Sequence, residues 1–287
     1  MISVMRATLF VLLLLIPASI YAQADETSRS WNQPVKPFRI VGNLYYVGAS
    51  DISSFLITTP EGHILLDSGF VETVPQIQKN IAQLGFRLED VKVLIITHAH
   101  YDHAGGLALL KRLTSAKLMA SEADAALLAA GGKGDPNFGD RFTYEPITAD
   151  RILRDGDKVE LGGVTMTARL TPGHTKGNTT WTMTLNEDGK RLNVVVAGST
   201  STPGYKLVDN PNYPGIVADY QRTFQILKSL PCDIFLAPHG NFFDLTKKSK
   251  LLEQGAKQNP FIDPGGYKRY VEETEKAFQK ELARQRM

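Results

Sequence analysis

Apolar and polar positions alternate in short runs that break at Gly and Pro, then give way to helical spacing, and this exchange recurs along the chain. Leu44–Val47, Ser54–Thr58 and His63–Leu66 read as strands, punctuated by Pro60-Glu61-Gly62. Val74–Leu84 has apolar residues at helical spacing and stops at Gly85. Val91–Thr97 is a continuous apolar run, the pattern of a strand buried on both faces. A His-rich loop follows it, and Gly105-Gly106 leads into a helix over Leu107–Leu113. Lys117–Ala120 and Ala123–Ala130 repeat the strand–helix unit, and residues 131–150 form a long loop rich in Gly, Pro and Asp. Strands are then expected at Lys158–Leu161, Val164–Leu170, Thr179–Leu185 and Leu192–Ala197, before an irregular stretch from Gly198 to Pro214. A helix at Tyr220–Leu230, a strand at Asp233–Ala237 and helices near 245–255 and 267–285 complete the pattern. Strands, βα units, more strands and further βα units predict an α/β fold, two packed β-sheets with helices on the outer faces.

The N-terminus stands outside this pattern. Arg6 precedes an apolar run, Ala7–Ile16, and Pro17 and small residues lead to Ala22-Gln23-Ala24. This is the layout of a secretory signal peptide over residues 1–24, with cleavage after Ala22 or Ala24. The apolar run is roughly ten residues, about half of a membrane span. The expectation is a periplasmic or secreted protein with no stable membrane association once the signal is removed. Residues 25–287 then form a single domain, its first part (25–40) a polar N-terminal arm.

Composition narrows the function. A net charge of +2 over 287 residues gives no basic field for nucleic acid. Export permits disulfides, but Cys232 is the only cysteine, and its place before an apolar strand marks a buried structural thiol. The expected partner is a small-molecule substrate, and the expected state is a monomer.

The chain has six His, and five fall in loops that follow strands. His98, His100 and His103 share one short loop with Asp102, His174 lies in Thr171-Pro172-Gly173-His174, and His239 lies in Ala237-Pro238-His239-Gly240. The sixth, His63, sits in a plain strand pattern. Imidazole is a common zinc ligand and Asp adds a hard oxygen donor. His98 and His100 project the same way at a strand end, while Asp102 and His103 turn to the other side of the loop. The division this predicts is His98, His100 and His174 on one zinc, and Asp102, His103 and His239 on a second. Three protein ligands per ion leave a position open for water, as in catalytic sites. Two zinc ions lower the pKa of a shared water from ~15.7 to ~7, so such a site hydrolyses carbonyl or phosphoryl centres without a Ser or Cys nucleophile. Asp102 is expected to orient that water as well as to bind metal. A zinc-binding protein without catalysis is the reading from another class, and the open positions argue against it.

The run Thr97-His98-Ala99-His100-Tyr101-Asp102-His103-Ala104-Gly105-Gly106 resembles the signature of the metallo-β-lactamase superfamily. Asp67, in Leu65-Leu66-Asp67-Ser68-Gly69, resembles the aspartate that stands behind the metal ligands in that superfamily. The resemblance spans roughly 35–260 and implies an αββα four-layer sandwich of two mixed sheets. Glyoxalase II-like thioesterases, lactonases and phosphodiesterases of the superfamily carry a metal-bridging Asp after the strand equivalent to Leu192–Ala197. Here that loop reads Ala197-Gly198-Ser199-Thr200-Ser201-Thr202-Pro203-Gly204-Tyr205, with no Asp before Asp209 and no Cys. In this it is similar to subclass B3 metallo-β-lactamases, as are Tyr213-Pro214-Gly215, Leu230-Pro231-Cys232-Asp233 and the arm segment Trp31-Asn32-Gln33-Pro34. The resemblance implies zinc-dependent hydrolysis of the β-lactam amide of penicillins, cephalosporins and carbapenems, conferring antibiotic resistance, with Ser199 and Ser201 as hydrogen-bond donors to the substrate carboxylate. The alternative is a secreted two-zinc lactone or thioester hydrolase of the same superfamily.

Overall fold

The computed structural model describes residues 26–287; the expected signal peptide lies outside the described residues. In chain order the elements are α1 (Glu26–Trp31), β1 (Phe38–Val41), β2 (Leu44–Tyr46), β3 (Phe55–Thr59), β4 (Gly62–Leu66), α2 (Val74–Gln83), β5 (Val91–Ile95), α3 (Tyr101–Ala104), α4 (Leu107–Thr114), β6 (Lys117–Ser121), α5 (Glu122–Ala129) and β7 (Arg151–Leu153). They continue with β8 (Lys158–Leu161), β9 (Val164–Leu170), β10 (Thr179–Glu187), β11 (Lys190–Val196), α6 (Ile216–Ser229), β12 (Ile234–Leu236), α7 (Leu245–Glu253) and α8 (Pro264–Gln285). Strands β1 to β7 form a seven-stranded sheet in sequence order, antiparallel up to β4 and parallel beyond it. The second sheet has five strands in the order β12-β11-β10-β9-β8, antiparallel except for the β11–β12 pair. The change from hairpins to parallel pairs follows the connections, because each parallel step needs a helical crossover.

Alternation along the strands distributes the core. Ile64 and Leu66 of β4 join Trp181 of β10 and Val194 of β11 in one buried cluster, while Leu65 faces Ile77 and Ile81 of α2 in the other. The same split separates Phe55 and Ile57 from Leu56 in β3. A strand whose two faces are both covered is apolar over its covered length, which is why Ile64–Leu66 of β4 and Val93–Ile95 of β5 show no polar alternation, while His63 and Lys92 lie toward the strand starts. Each such side chain contributes about 1.5–3 kcal/mol on burial. Among the described residues no helix is long and apolar enough to cross a membrane.

Three expectations change. The segment 25–40 is not a plain arm: it begins with α1 and ends in β1. The loop 131–150 ends in β7, a three-residue edge strand with two exposed positions, too short to carry a period. Cys232 is partly rather than fully buried, packed against the core.

The turn into the His loop is held from the second sheet. Trp181 is buried and its Nε1–H donates to the carbonyl of Ile96 at 2.8 Å, while the amide of Thr179 donates to the carbonyl of Thr97 at 2.7 Å. Trp181→Phe leaves that carbonyl without its donor and opens space between the sheets. The expected loss is about 1–3 kcal/mol, read as a lower urea midpoint at unchanged slope. Burial pushes the Cys232 thiol up to about 12, with Asp233 adding to it. At pH 8 the group is therefore a thiol, and its alkylation by iodoacetamide should be about 100-fold or more slower than in the urea-unfolded chain.

Candidate metal centre

One edge of the two sheets collects all the loops singled out above. The His98–His103 segment leaves the C-terminal end of β5, His174 lies between β9 and β10, Ser199 and Ser201 follow β11, and His239 follows β12. Local backbone aims them. Gly173 has φ +136°, and a Cβ there would lie 2.8 Å from the Tyr220 ring, so only glycine lets the chain pass under α6 into His174. Asp67 holds a left-handed φ of +61°, a strained state for a non-glycine. Its Oδ1 accepts from the Thr97 amide and its Oδ2 from the Thr97 hydroxyl, both at 2.7 Å, and its Oδ2 stands 3.7 Å from His103 Nδ1. Ser68, next to it, donates through amide and hydroxyl to the carbonyl of His103, both at 2.8 Å.

Among the described residues two groups bring potential ligand atoms within 4.8 Å of one another: His98, His100 and His174, and His98, Asp102 and His103. The first is the triad read from the sequence. In the second, His98 stands where His239 was expected. His239 joins through Asp102, its Nε2 3.5 Å from Asp102 Oδ2.

Hydrogen bonds on the outer side of each ring decide which nitrogen faces inward. The Thr97 hydroxyl is spent on Asp67, so its oxygen accepts from His98 Nδ1–H at 3.1 Å and leaves His98 Nε2 bare. His174 Nδ1–H donates to the carbonyl of Ser201 at 2.8 Å, leaving its Nε2 bare. His100 Nε2 faces Asp135 Oδ2 at 3.2 Å, and an ionised carboxylate only accepts, so His100 Nδ1 is bare as well. That Nδ1 lies 3.1 Å from His174 Nε2, lone pair against lone pair. A cation between them turns the repulsion into ligation. On the other side, His239 Nδ1 is held by Asp51 Oδ2 at 2.9 Å. His103 is 1% exposed, yet neither ring nitrogen has a hydrogen-bond partner, although Nε2 lies 3.2 Å from Asp102 Oδ2. Orphaned buried nitrogens beside a carboxylate are what a metal-ligand set looks like.

The charge states of His98, His174 and Asp102 agree with this. Burial, and then the neighbouring His103, His174 and His100, hold His98 well below the usual imidazole range; burial and His100 do the same to His174. Burial alone would raise the Asp102 carboxyl, but His103 and His239 together hold it well below the usual carboxylate range. Burial would lower His239, but hydrogen bonds to Asp102 and Asp51 push it up to about 9. Burial pushes Asp67 up to about 6.

His100, Asp102, His174 and His239 line a 430 Å³ cavity, with His98 and His103 behind them. Trp31, Phe138, Phe142 and Phe242 supply its apolar walls, and Ser28, Arg141, Ser201 and Asn241 polar ones. Ser201 therefore faces the cavity, while Ser199 is buried behind it, its hydroxyl 3.1 Å from that of Ser201 and its amide bonded to Asn178. Asp209 is exposed and belongs to neither donor group. His63 stays apart from the cluster, edge-on to Phe86. Sequence reading missed the acids behind the ligands, Asp51 and Asp135. It also missed Asp124, whose carboxylate accepts from the amides of Ala99 and Gly177 and the hydroxyl of Thr175 and so ties two His loops together. Their partners are far away in sequence, and no local pattern marks them.

Asp67→Ala should strip the Thr97 amide and hydroxyl of their acceptor and free His103. Zinc affinity measured by chelator competition is expected to fall about 10–100-fold with the fold retained; an unchanged affinity would contradict the geometry.

Residues 47–239 match the model of the metallo-β-lactamase superfamily. The FEZ-1 metallo-β-lactamase of Legionella gormanii is 47% identical with a TM-score of 0.88, over 89% of this chain and 98% of that one. LRA-12, a class B3 di-zinc metallo-β-lactamase from an Alaskan soil metagenome, is 40% identical with a TM-score of 0.82, over 87% and 95%. Curated sequence relatives align over shorter stretches: the chain spans 36% of the length of a probable metallo-hydrolase from Burkholderia pseudomallei, at 32% identity over 109 residues. Fold, donor cluster and likeness along nearly the whole described chain converge, and the chain belongs to the metallo-β-lactamase superfamily, within its subclass B3.

Proposed function

We propose that the protein is an exported hydrolase of β-lactam antibiotics that works with two zinc ions, one held by His98, His100 and His174 and the other by Asp102, His103 and His239. The observation that carries this reading is the pair of buried donor sets that reach, through His100, His174 and Asp102, a cavity whose wall offers Ser201 in the loop where related hydrolases place a bridging acid. Export rests on the N-terminal apolar run alone.

Zinc bound there would supply Lewis acidity toward a carbonyl and lower the pKa of water. The protein's part is positioning. Asp102, ionised and lining the cavity, accepts a hydrogen bond from the attacking water and orients its lone pair toward the substrate carbonyl. Ser201 donates to the carboxylate beside the lactam nitrogen, with the Ser199 hydroxyl behind it. Trp31 and Phe242, both packed against His239, with Phe138 and Phe142 opposite, bury the apolar rings of the substrate and exclude bulk water.

His174→Ala empties the first donor set. Nitrocefin turnover is expected to fall by at least about 10³-fold, and turnover like that of the unsubstituted protein would sink the assignment. A panel of a penicillin, a cephalosporin and a carbapenem, run beside a homoserine lactone and S-lactoylglutathione with and without chelator, separates the two hydrolase readings. Chelator-sensitive β-lactam turnover is expected, with little action on the lactone or thioester. The reverse preference would favour the alternative.

A further inference from the structure

Asp135 stands between the metal cluster and the cavity wall and serves both. It is 5% exposed. Its Oδ2 takes the hydrogen bond from His100 Nε2 at 3.2 Å, and its Oδ1 accepts from the amides of Asn137 at 2.8 Å and Phe138 at 2.7 Å. Paired backbone bonds between Asp135 and Gly139 close the same turn, at 3.2 and 2.9 Å. That turn presents Phe138, whose ring packs 5.2 Å from the His100 ring and 5.3 Å from Phe142, which stacks on Tyr101 at 4.6 Å.

We infer that Asp135 is a positioning residue through which cation binding at His100 sets the order of the wall carried by residues 135–142. The inference rests on the reading of His98, His100 and His174 as a metal site. A cation on His100 Nδ1 draws electron density from the ring and makes Nε2–H a stronger donor, so the bond to Asp135 tightens and fixes the carboxylate that caps the turn. Without the cation, the neutral His100 ring places Nδ1 against the bare His174 Nε2, and moving its hydrogen to Nδ1 to satisfy that neighbour loses the bond to Asp135. Coupling of this kind is reciprocal: whatever settles the wall raises the cation affinity.

The test is residue-resolved hydrogen exchange on the full chain, zinc-loaded and chelated, with zinc content measured first. In the unsubstituted protein, removing zinc should speed exchange of the Asn137 and Phe138 amides at least about tenfold, with the amides of β4 unchanged. An Asn offers one acceptor oxygen and cannot serve both sides, so in Asp135→Asn the zinc dependence should shrink below about twofold while zinc binding weakens. Asp135→Ala should behave alike, and Asp135→Asn remains informative if the Ala variant does not fold. Zinc bound with no change at these two amides, or full zinc dependence in Asp135→Asn, overturns the inference alone. A protein that takes up no zinc overturns the metal reading beneath it.

Discussion

Imidazole nitrogens without protons, crowded against each other and against an ionised carboxylate, are unfavourable neighbours where burial removes most of their hydration. His100 Nδ1 and His174 Nε2 face each other at 3.1 Å, and both nitrogens of His103 are buried without a hydrogen bond. A protein holds such a set only where a positive charge repays it, and the rest of the structure serves to keep it open and correctly turned.

The fold bears this load from outside the cluster. Each inward nitrogen of His98, His100 and His174 is left bare because the opposite nitrogen is tied: to Thr97, Asp135 and the Ser201 carbonyl; His239 is held on its outer side by Asp51. Those ties come from both sheets and from loops distant in sequence, so the ligand geometry is a property of the whole sandwich. Trp181 shows the link plainly, since one side chain packs between the sheets and also anchors the strand end from which the His loop leaves. The same dependence extends to the substrate cavity, whose walls are drawn from α1, the 131–150 loop, the loop after β11 and the turn after β12.

How much of this the sequence discloses depends on how local each cause is. The strand–loop pattern around His98 to His103 is local and marks four of the donors, His174 and His239 are marked by their own loops after strands, and the two-sheet sandwich follows from the order of strands and βα units along the chain. Asp67 is legible through its resemblance to a known signature. Asp51 is not, because its partner His239 lies 188 residues away; Asp135 and His100 are separated by 35, with a turn of unremarkable composition around the acid. Ser199 and Ser201 are equivalent in the sequence and separate only in space, where one faces the cavity and the other lies behind it. β7 escaped because three residues at a sheet edge leave no periodic trace, and α1 because six residues ending in one aromatic have no apolar face to read.

The most direct test of the central claim is anomalous diffraction from crystals of the zinc-loaded protein, collected on both sides of the zinc absorption edge. The account predicts two peaks: one bounded by His98 Nε2, His100 Nδ1 and His174 Nε2, the other beside Asp102 Oδ2 and the inward nitrogens of His103 and His239. A single peak, no peak, or a metal bound through His100 Nε2 in place of Asp135 would contradict it.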